Sequence, residues 1–295
     1  MGAPVANRRT EAGPSTRSNM TEAAVHQAPQ PVLRRRLAPG ARDLVDGIAN
    51  WRLWSMLGWN DIRQRYRRSA LGPFWITISM AIFVVLLGVI YAKLFKQELA
   101  VFLPYIAMGL IVWGFISGTT TEACSQFLEN AGIIRQIRLP YTIYAMRMIW
   151  RSFIVFLHTV VLIVPIAIFF HMDFGWGTLL AIPGMALVAL NQVWVAIVIG
   201  TVATRFRDIT QLVATGIQIS MFVTPIMWPL SAIPDARFIA EINPFYHLIE
   251  LVRAPLLGGM AEPLSWIVVV AMCVIGYGLA ALALTRASPR LVYWL

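Results

Sequence analysis

The sequence predicts an all-α integral membrane protein. It has six transmembrane helices, an N-terminal amphipathic interface helix, and short exterior helices between spans five and six. Three observations carry that reading. Of 295 residues, 58% are hydrophobic and 13% charged, against roughly 45–50% and about 25% in an ordinary soluble domain. The excess is gathered into uncharged runs, each long enough for the ~20 residues that a helix needs to cross hydrocarbon. The basic residues fall almost entirely on one side of those runs. Continuous runs, rather than alternation of apolar and polar residues, argue against a β-barrel. Two cysteines, Cys124 and Cys273, cannot furnish a disulfide framework or a structural zinc site.

Residues 1–40 read as a disordered cytoplasmic tail. They hold Pro4, Pro14, Pro29, Pro31 and Pro39, the basic run Arg34, Arg35 and Arg36, and no apolar block of the kind a secretory signal requires. An Arg-rich, acid-poor transit peptide is the alternative. The transmembrane domain is then 41–295. Over 41–68 an interface helix is expected, because Leu44, Val45, Ile48, Trp51, Trp54 and Leu57 recur near helical spacing. Trp51, Trp54 and Trp59 suit the headgroup layer. Arg63, Arg65, Arg67 and Arg68 follow, a basic cluster suited to anionic lipid.

The apolar runs are Phe74–Ala92, Leu99–Thr121, Ser152–Phe170 (with His158 inside), Phe174–Thr204, Ile209–Pro234 and Pro263–Thr285. They place spans at about 73–94, 99–123, 143–170, 176–203, 209–230 and 263–285. The fifth run breaks at Pro225 and Pro229. The stretch from Asp235 to Glu262 carries Arg237, Glu241, Glu250 and Arg253, and Pro244 and Pro255 interrupt it. So much charge disfavours a lipid-exposed span, and short helices at one membrane face are expected instead.

With six spans, 20 of the 24 Lys and Arg fall on the side of the two termini, the loop 122–151 and the loop 205–208. Basic residues concentrate on the cytoplasmic side, so both termini are expected there. The net charge of +10 is topological on this reading, and nucleic acid is not an expected partner.

The chain lacks the means to power or catalyse. Its only lysines, Lys93 and Lys96, follow Ala92 and Phe95 rather than the glycine of a phosphate-binding loop. The six runs contain no charged residue apart from His158, so no proton relay is evident. No cofactor is expected on this chain. Asp235, Glu241, His247, Glu250 and Glu262 are scattered without a catalytic arrangement, and Glu250 with Arg253 reads as a salt bridge at a helical spacing of three.

Four local patterns occur together. The first is Asp61-Ile62-Arg63-Gln64-Arg65-Tyr66-Arg67-Arg68 leading to Gly72-Pro73-Phe74-Trp75. The second is Asn130-Ala131-Gly132-Ile133-Ile134-Arg135-Gln136-Ile137-Arg138-Leu139-Pro140. The third is Arg205-Phe206-Arg207-Asp208, followed by Thr224-Pro225-Ile226-Met227-Trp228-Pro229. The fourth is Asn243-Pro244-Phe245-Tyr246-His247 leading to Arg253. In this order and spacing, over about residues 41–290, the chain resembles the membrane subunit of the ABC-2 exporters that move polysaccharides, teichoic acids, O antigens and capsules (type V exporters).

The resemblance implies a homodimer in the cytoplasmic membrane, working with two copies of a separate subunit that binds ATP and Mg. It implies a glycan on polyprenyl diphosphate as cargo, and a channel with spans one and five near the dimer axis. It makes the loop between spans two and three a coupling helix, where Ile133, Ile134 and Ile137 supply an apolar knob and Arg135 and Arg138 supply charge. Where the family often has paired Lys, Ile134 and Arg135 stand here. Arg205, Arg207 and Asp208 are candidates for a second contact with the ATPase. Arg63, Arg65, Arg67 and Arg68 are candidates for the lipid diphosphate at the cytoplasmic entrance, since Arg pairs bidentately with phosphate. Phe74, Trp75, Phe83, Tyr91 and Phe222 along the channel, with Trp228 and Tyr246 near the exit, are candidate stacking surfaces for sugar rings. An ABC-2 permease for a drug or simple lipid is the alternative, and a membrane glycan transferase is the rival from another class.

Overall fold

A computed structural model describes residues 38–67, 74–230 and 237–295, with Gly2 and Gly72 as isolated positions. Apart from Gly2 and the last three residues, the tail read over 1–40 lies outside the described residues, as do Arg68, Pro73 and Asp235. Pro39 and Gly40, read as tail, instead open the first helix, with Pro39 at a position whose N–H needs no partner.

The expected single interface helix is two: α1 (Pro39–Ala49) and α2 (Trp51–Tyr66), interrupted at Asn50. Then come α3 (Phe74–Leu94) and α4 (Leu99–Ala123). Two short helices, α5 (Gln126–Glu129) and α6 (Ala131–Gln136), form the loop between spans two and three. The third span is divided into α7 (Thr142–Val160) and α8 (Ile163–Phe169). Pro165 accounts for the break, because its ring crowds the carbonyl four residues back, at Val161. A 3-10 turn, Trp176–Leu180, leads into α9 (Ala181–Arg205). After it come α10 (Ile209–Val223), α11 (Arg237–Ile242), α12 (Pro244–Leu256) and α13 (Pro263–Trp294).

Among the described residues, five segments are long and apolar enough to cross a membrane, and α10 is a shorter apolar helix. The expected fifth span ends at Val223 after 15 residues, about 22 Å at 1.5 Å per residue, short of a ~30 Å hydrocarbon core. The stop is local. Thr224 takes φ −78°, ψ 136°, the extended backbone that a residue before proline is driven to, and Pro225 follows. The last helix departs the other way: it runs past Thr285 to Trp294, about 48 Å for its 32 residues.

The bundle is built around α4. In its most apolar window 72% of residues are buried, against 11% for α3 and 22% for α13. Alpha-helix α4 packs on α3, α7, α9 and α12, while α9 lies along α13. With no hydrophobic drive between helices in lipid, close approach and polar links do the holding. A side chain on Gly276 would collide with the ring of Trp194, and one on Gly184 with the backbone of Leu251. Gln192 Oε1 accepts from the hydroxyls of Thr119 (3.0 Å) and Thr120 (3.2 Å), and Gln126 Nε2 donates to the carbonyl of Ala196 at 2.6 Å. Asn191 Nδ2 donates across to the carbonyl of Val269 at 3.2 Å.

Long-range bonds fix which ends lie together. The backbone N–H of Gly40 donates to Thr285 Oγ1 at 3.0 Å, and Tyr141 donates its hydroxyl to the carbonyl of Ser288 at 3.4 Å. The Arg205 guanidinium sits 5.4 Å from the Trp294 ring. Thus α1, the loop 124–141, the end of α9 and the end of α13 share one end of the bundle. It is the end that gathers the arginine-rich segments.

Candidate functional site

The loop end of the bundle is built on a small buried cluster. Ile134, Phe127, Tyr144, Ala287 and Leu291 pack together, all under 9% exposed. That clamps α6 against the end of α13. The expected apolar knob is therefore divided. Ile134 is 6% exposed and anchors the loop, while Ile133 (40%) and Ile137 (54%) face outward. The physical reason is helical geometry: in a six-residue helix neighbours lie about 100° apart, so Ile133 and Ile134 cannot share a face. Arg135 and Arg138 are exposed, and they line a cleft of about 500 Å³ with Tyr141, Pro289 and Tyr293.

An ionic network holds this loop from behind. Arg147, on the first turns of α7, forks onto Asp61 of α2: Nε donates to Oδ2 at 2.7 Å and Nη2 to Oδ1 at 2.6 Å. Its third nitrogen, Nη1, donates to Oδ1 of Asn130, in the loop, at 2.9 Å. One turn on, Arg151 donates to Asp61 at 3.2 Å and to Glu122 at the end of α4. Ser152 donates to the same carboxylate at 3.2 Å. The two arginines and Asp61 are only 13–18% exposed, so these charge-assisted bonds are partly shielded from water and stronger than surface pairs. Sequence reading missed the network. Its signal was present: Arg147 and Arg151 stand four apart, at the start of an apolar run, where unpartnered charge is costly.

A second tether is Asp43 of α1. Its carboxylate accepts from the backbone of Tyr141 at 2.8 Å and of Thr142 at 2.9 Å, and from Thr142 Oγ1 at 2.7 Å. It thereby caps α7 from a helix 98 residues away. Burial pushes this carboxyl above its ordinary range, and the hydrogen bonds from Thr142 and Tyr141 pull part of the way back.

The other predicted residues are dispersed. Arg65 pairs with Glu122 at 3.6 Å and stands at the mouth of a cavity of about 220 Å³ that runs between α3, α4 and α7. Arg63 and Arg67 are exposed, and Arg68 lies outside the described residues. Arg205 stacks over Phe206 at 4.9 Å, and Arg207 and Asp208 are exposed. Asp208 precedes α10, but its side chain makes no capping hydrogen bond.

Among the aromatics, Phe74 and Trp75 are each 59% exposed, Phe83 41% and Phe222 60%. Tyr91 stacks on Phe95 with centroids 5.9 Å apart. Trp228 donates its indole N–H to the carbonyl of Phe222 at 3.0 Å. Tyr246, expected near the exit surface, is buried at 7% exposure, and burial pushes its phenol up to about 12. It faces inward because Pro244–Leu256 packs against α4 and α9 on that side.

At the far end the polar groups are engaged with one another. Arg253 donates twice to Glu250 Oε2 (3.0 and 2.7 Å) and once to the carbonyl of Pro225 (2.7 Å), and lies 4.1 Å over the Tyr105 ring. His247 bonds Ser265 Oγ through Nδ1 at 2.9 Å and the carbonyl of Glu241 through Nε2 at 2.8 Å. Glu241 pairs with Arg237. Such a set is occupied in holding helices together, and among the described residues no group of three or more His, Cys, Asp or Glu is placed to hold a metal.

Comparison with known proteins gives a consistent result. The chain is 25% identical over 195 residues to an O-antigen export system permease protein RfbA of Klebsiella pneumoniae, covering 64% of this chain and 74% of that one. It is 24% identical over 206 residues to a second such protein from Klebsiella pneumoniae, covering 68% and 78%. A protein of the same name from Myxococcus xanthus is 22% identical over 201 residues, covering 66% and 76%. The ABC-2 type transporter family matches residues 52–257, which contain the ionic network, the loop and the far-end helices. The chain belongs to the ABC-2 type transporter family, as a multi-pass membrane permease subunit.

Proposed function

We propose that this chain is the permease of an exporter that moves a polysaccharide carried on polyprenyl diphosphate outward across the cytoplasmic membrane. Both termini face the cytoplasm. Two copies form the channel, and two copies of a separate subunit bind ATP and Mg and supply the work. The observation that carries the reading is the braced loop. Ile133 and Ile137 project outward beside Arg135 and Arg138, while Ile134 and the Asn130–Arg147 bond fix the loop to the bundle. An apolar pair flanked by arginines, held on a rigid mount, suits reception of a push from a partner. The relatives' names support O antigen or a similar glycan as cargo.

Dimer formation is supported by the uncovered faces of α3 and α10; no residue of α10 is buried within one copy. Arg207 and Asp208, exposed near the same end, would form a smaller second contact. Arg65 at the cavity mouth, with Arg63 and Arg67 nearby, would meet the diphosphate. Exposed Phe74, Trp75, Phe83 and Phe222 would offer faces to sugar rings.

The test is deletion of the gene with measurement of surface glycan and intracellular lipid-linked glycan. Surface glycan is expected to fall and the lipid-linked form to accumulate, with both restored by the wild-type chain. Unchanged glycan together with new drug sensitivity would overturn the cargo assignment in favour of a drug exporter.

A further inference from the structure

The last helix carries a pattern that export does not use. Ile275, Leu279, Leu282, Arg286 and Arg290 follow one another at spacings of four, three, four and four, so they share one face. The three apolar residues are 64%, 48% and 45% exposed, and both arginines are exposed. An apolar stripe thus runs along the helix and ends in positive charge at the loop end of the bundle.

There the helix meets the end of α9, and the two leave a groove of about 590 Å³. Val202, Ala283 and Ala287 give it apolar walls; Arg205, Arg286 and Arg290 give it charge. The Arg205 guanidinium lies over two rings, Phe206 at 4.9 Å and Trp294 at 5.4 Å. Among the described residues no carboxylate lines the groove, and none of these three arginines forms an ion pair. Three uncompensated guanidiniums in one recess repel one another, and a phosphate relieves that repulsion while accepting their forked hydrogen bonds. The seven-residue step from Ile275 to Leu282 spans about 10 Å, a track for hydrocarbon that leads to the charge. A soluble anion has no use for such a track. Nor does an acidic protein surface.

We propose that the groove between the ends of α9 and α13 binds the phosphate headgroup of an anionic membrane phospholipid, whose acyl chain lies along Ile275, Leu279 and Leu282. The full-length chain, stripped of lipid in neutral detergent, is titrated with phosphatidylglycerol bearing brominated acyl chains. Quenching of tryptophan fluorescence reports binding, because the Trp194 ring packs against Gly276, next to Ile275 at the start of the acyl track. Brominated phosphatidylcholine is the control. The Arg286→Gln/Arg290→Gln variant is expected to bind phosphatidylglycerol about 25-fold more weakly, roughly fivefold per arginine, with its response to phosphatidylcholine unchanged. Leu282→Ser is expected to weaken binding several-fold with the arginines intact. Both variants alter exposed side chains, so monodisperse elution is expected and checks the fold. The proposal is overturned if the double variant binds phosphatidylglycerol like the wild type. It is overturned equally if millimolar inorganic pyrophosphate displaces the lipid completely, which would make the site one for soluble phosphate. Retention of the lipid with loss of a co-expressed ATP-binding subunit would assign the groove to protein contact instead.

Discussion

Removing Arg253 is expected to destabilise the far end of the bundle more than any other single charge change. Its side chain is 3% exposed and that of Glu250 is 20% exposed. Arg253→Ala deletes two charge-assisted bonds to Glu250, leaves the carbonyl of Pro225 with the Tyr105 hydroxyl as its remaining donor, and removes the cation from the Tyr105 ring. These losses are not additive. Breaking a buried pair by deleting one partner costs about 3–5 kcal/mol, and the partial exposure of Glu250 places the value near ~3 kcal/mol, because water reaches the stranded carboxylate. Arg253→Lys keeps the charge and loses the fork, for about 1–2 kcal/mol. Glu250→Gln combined with Arg253→Met removes both charges and is expected to be milder than Arg253→Ala alone. The assay is thermal unfolding of the purified chain in detergent, followed by tryptophan fluorescence. Arg253→Ala should lower the midpoint by on the order of 10 °C, with the double variant recovering part of it. A midpoint for Arg253→Ala within about 2 °C of wild type would refute the reasoning, as would a double variant less stable than the single one.

Other outcomes are expected at the loop end. Ile133→Asp/Ile137→Asp should insert and fold normally yet uncouple ATP hydrolysis from glycan export, measured in vesicles with the ATP-binding subunit; unchanged export would remove the loop from the docking surface. Ile134→Asp should instead lower thermal stability by about 2–5 kcal/mol, since it puts a charge among Phe127, Tyr144 and Leu291. Asp43→Ala should cost about 1 kcal/mol through loss of the cap on α7, and a wild-type melting curve would deny that the cap matters. Gly276→Ala should cost about 1–3 kcal/mol, because Trp194 must leave its rotamer to admit a methyl group; the same melting assay reads it.

The fold class was legible because hydrocarbon imposes length and polarity on a helix. The runs beginning at Phe74 and Leu99 therefore announce α3 and α4 almost to the residue. The fifth run breaks at Pro225 and Pro229, yet its expected span extends to about 230; composition does not register where a helix stops, and α10 ends at Val223, just before the first proline. The helices at the far face were foreseen from their charge, and the Glu250–Arg253 pair from its spacing. The brace behind the loop was not foreseen, since Asp61, Glu122, Asn130 and Arg147 come from four separated segments. Nor could spacing alone divide Ile133 from Ile134. That required knowing which face of α6 meets Leu291.

The three nitrogens of the Arg147 guanidinium have a mechanical consequence. A planar cation that gives two nitrogens to Asp61 of α2 and the third to Asn130 is a gusset between α2 and the loop. On the function proposed above, a shove delivered at the loop either swings α2 with it or breaks the one bond to Asn130 or the two to Asp61. If the loop receives the push proposed above, the tryptophan-bearing helix becomes part of the drive train, and exposed Trp51 and Trp59 move with each stroke.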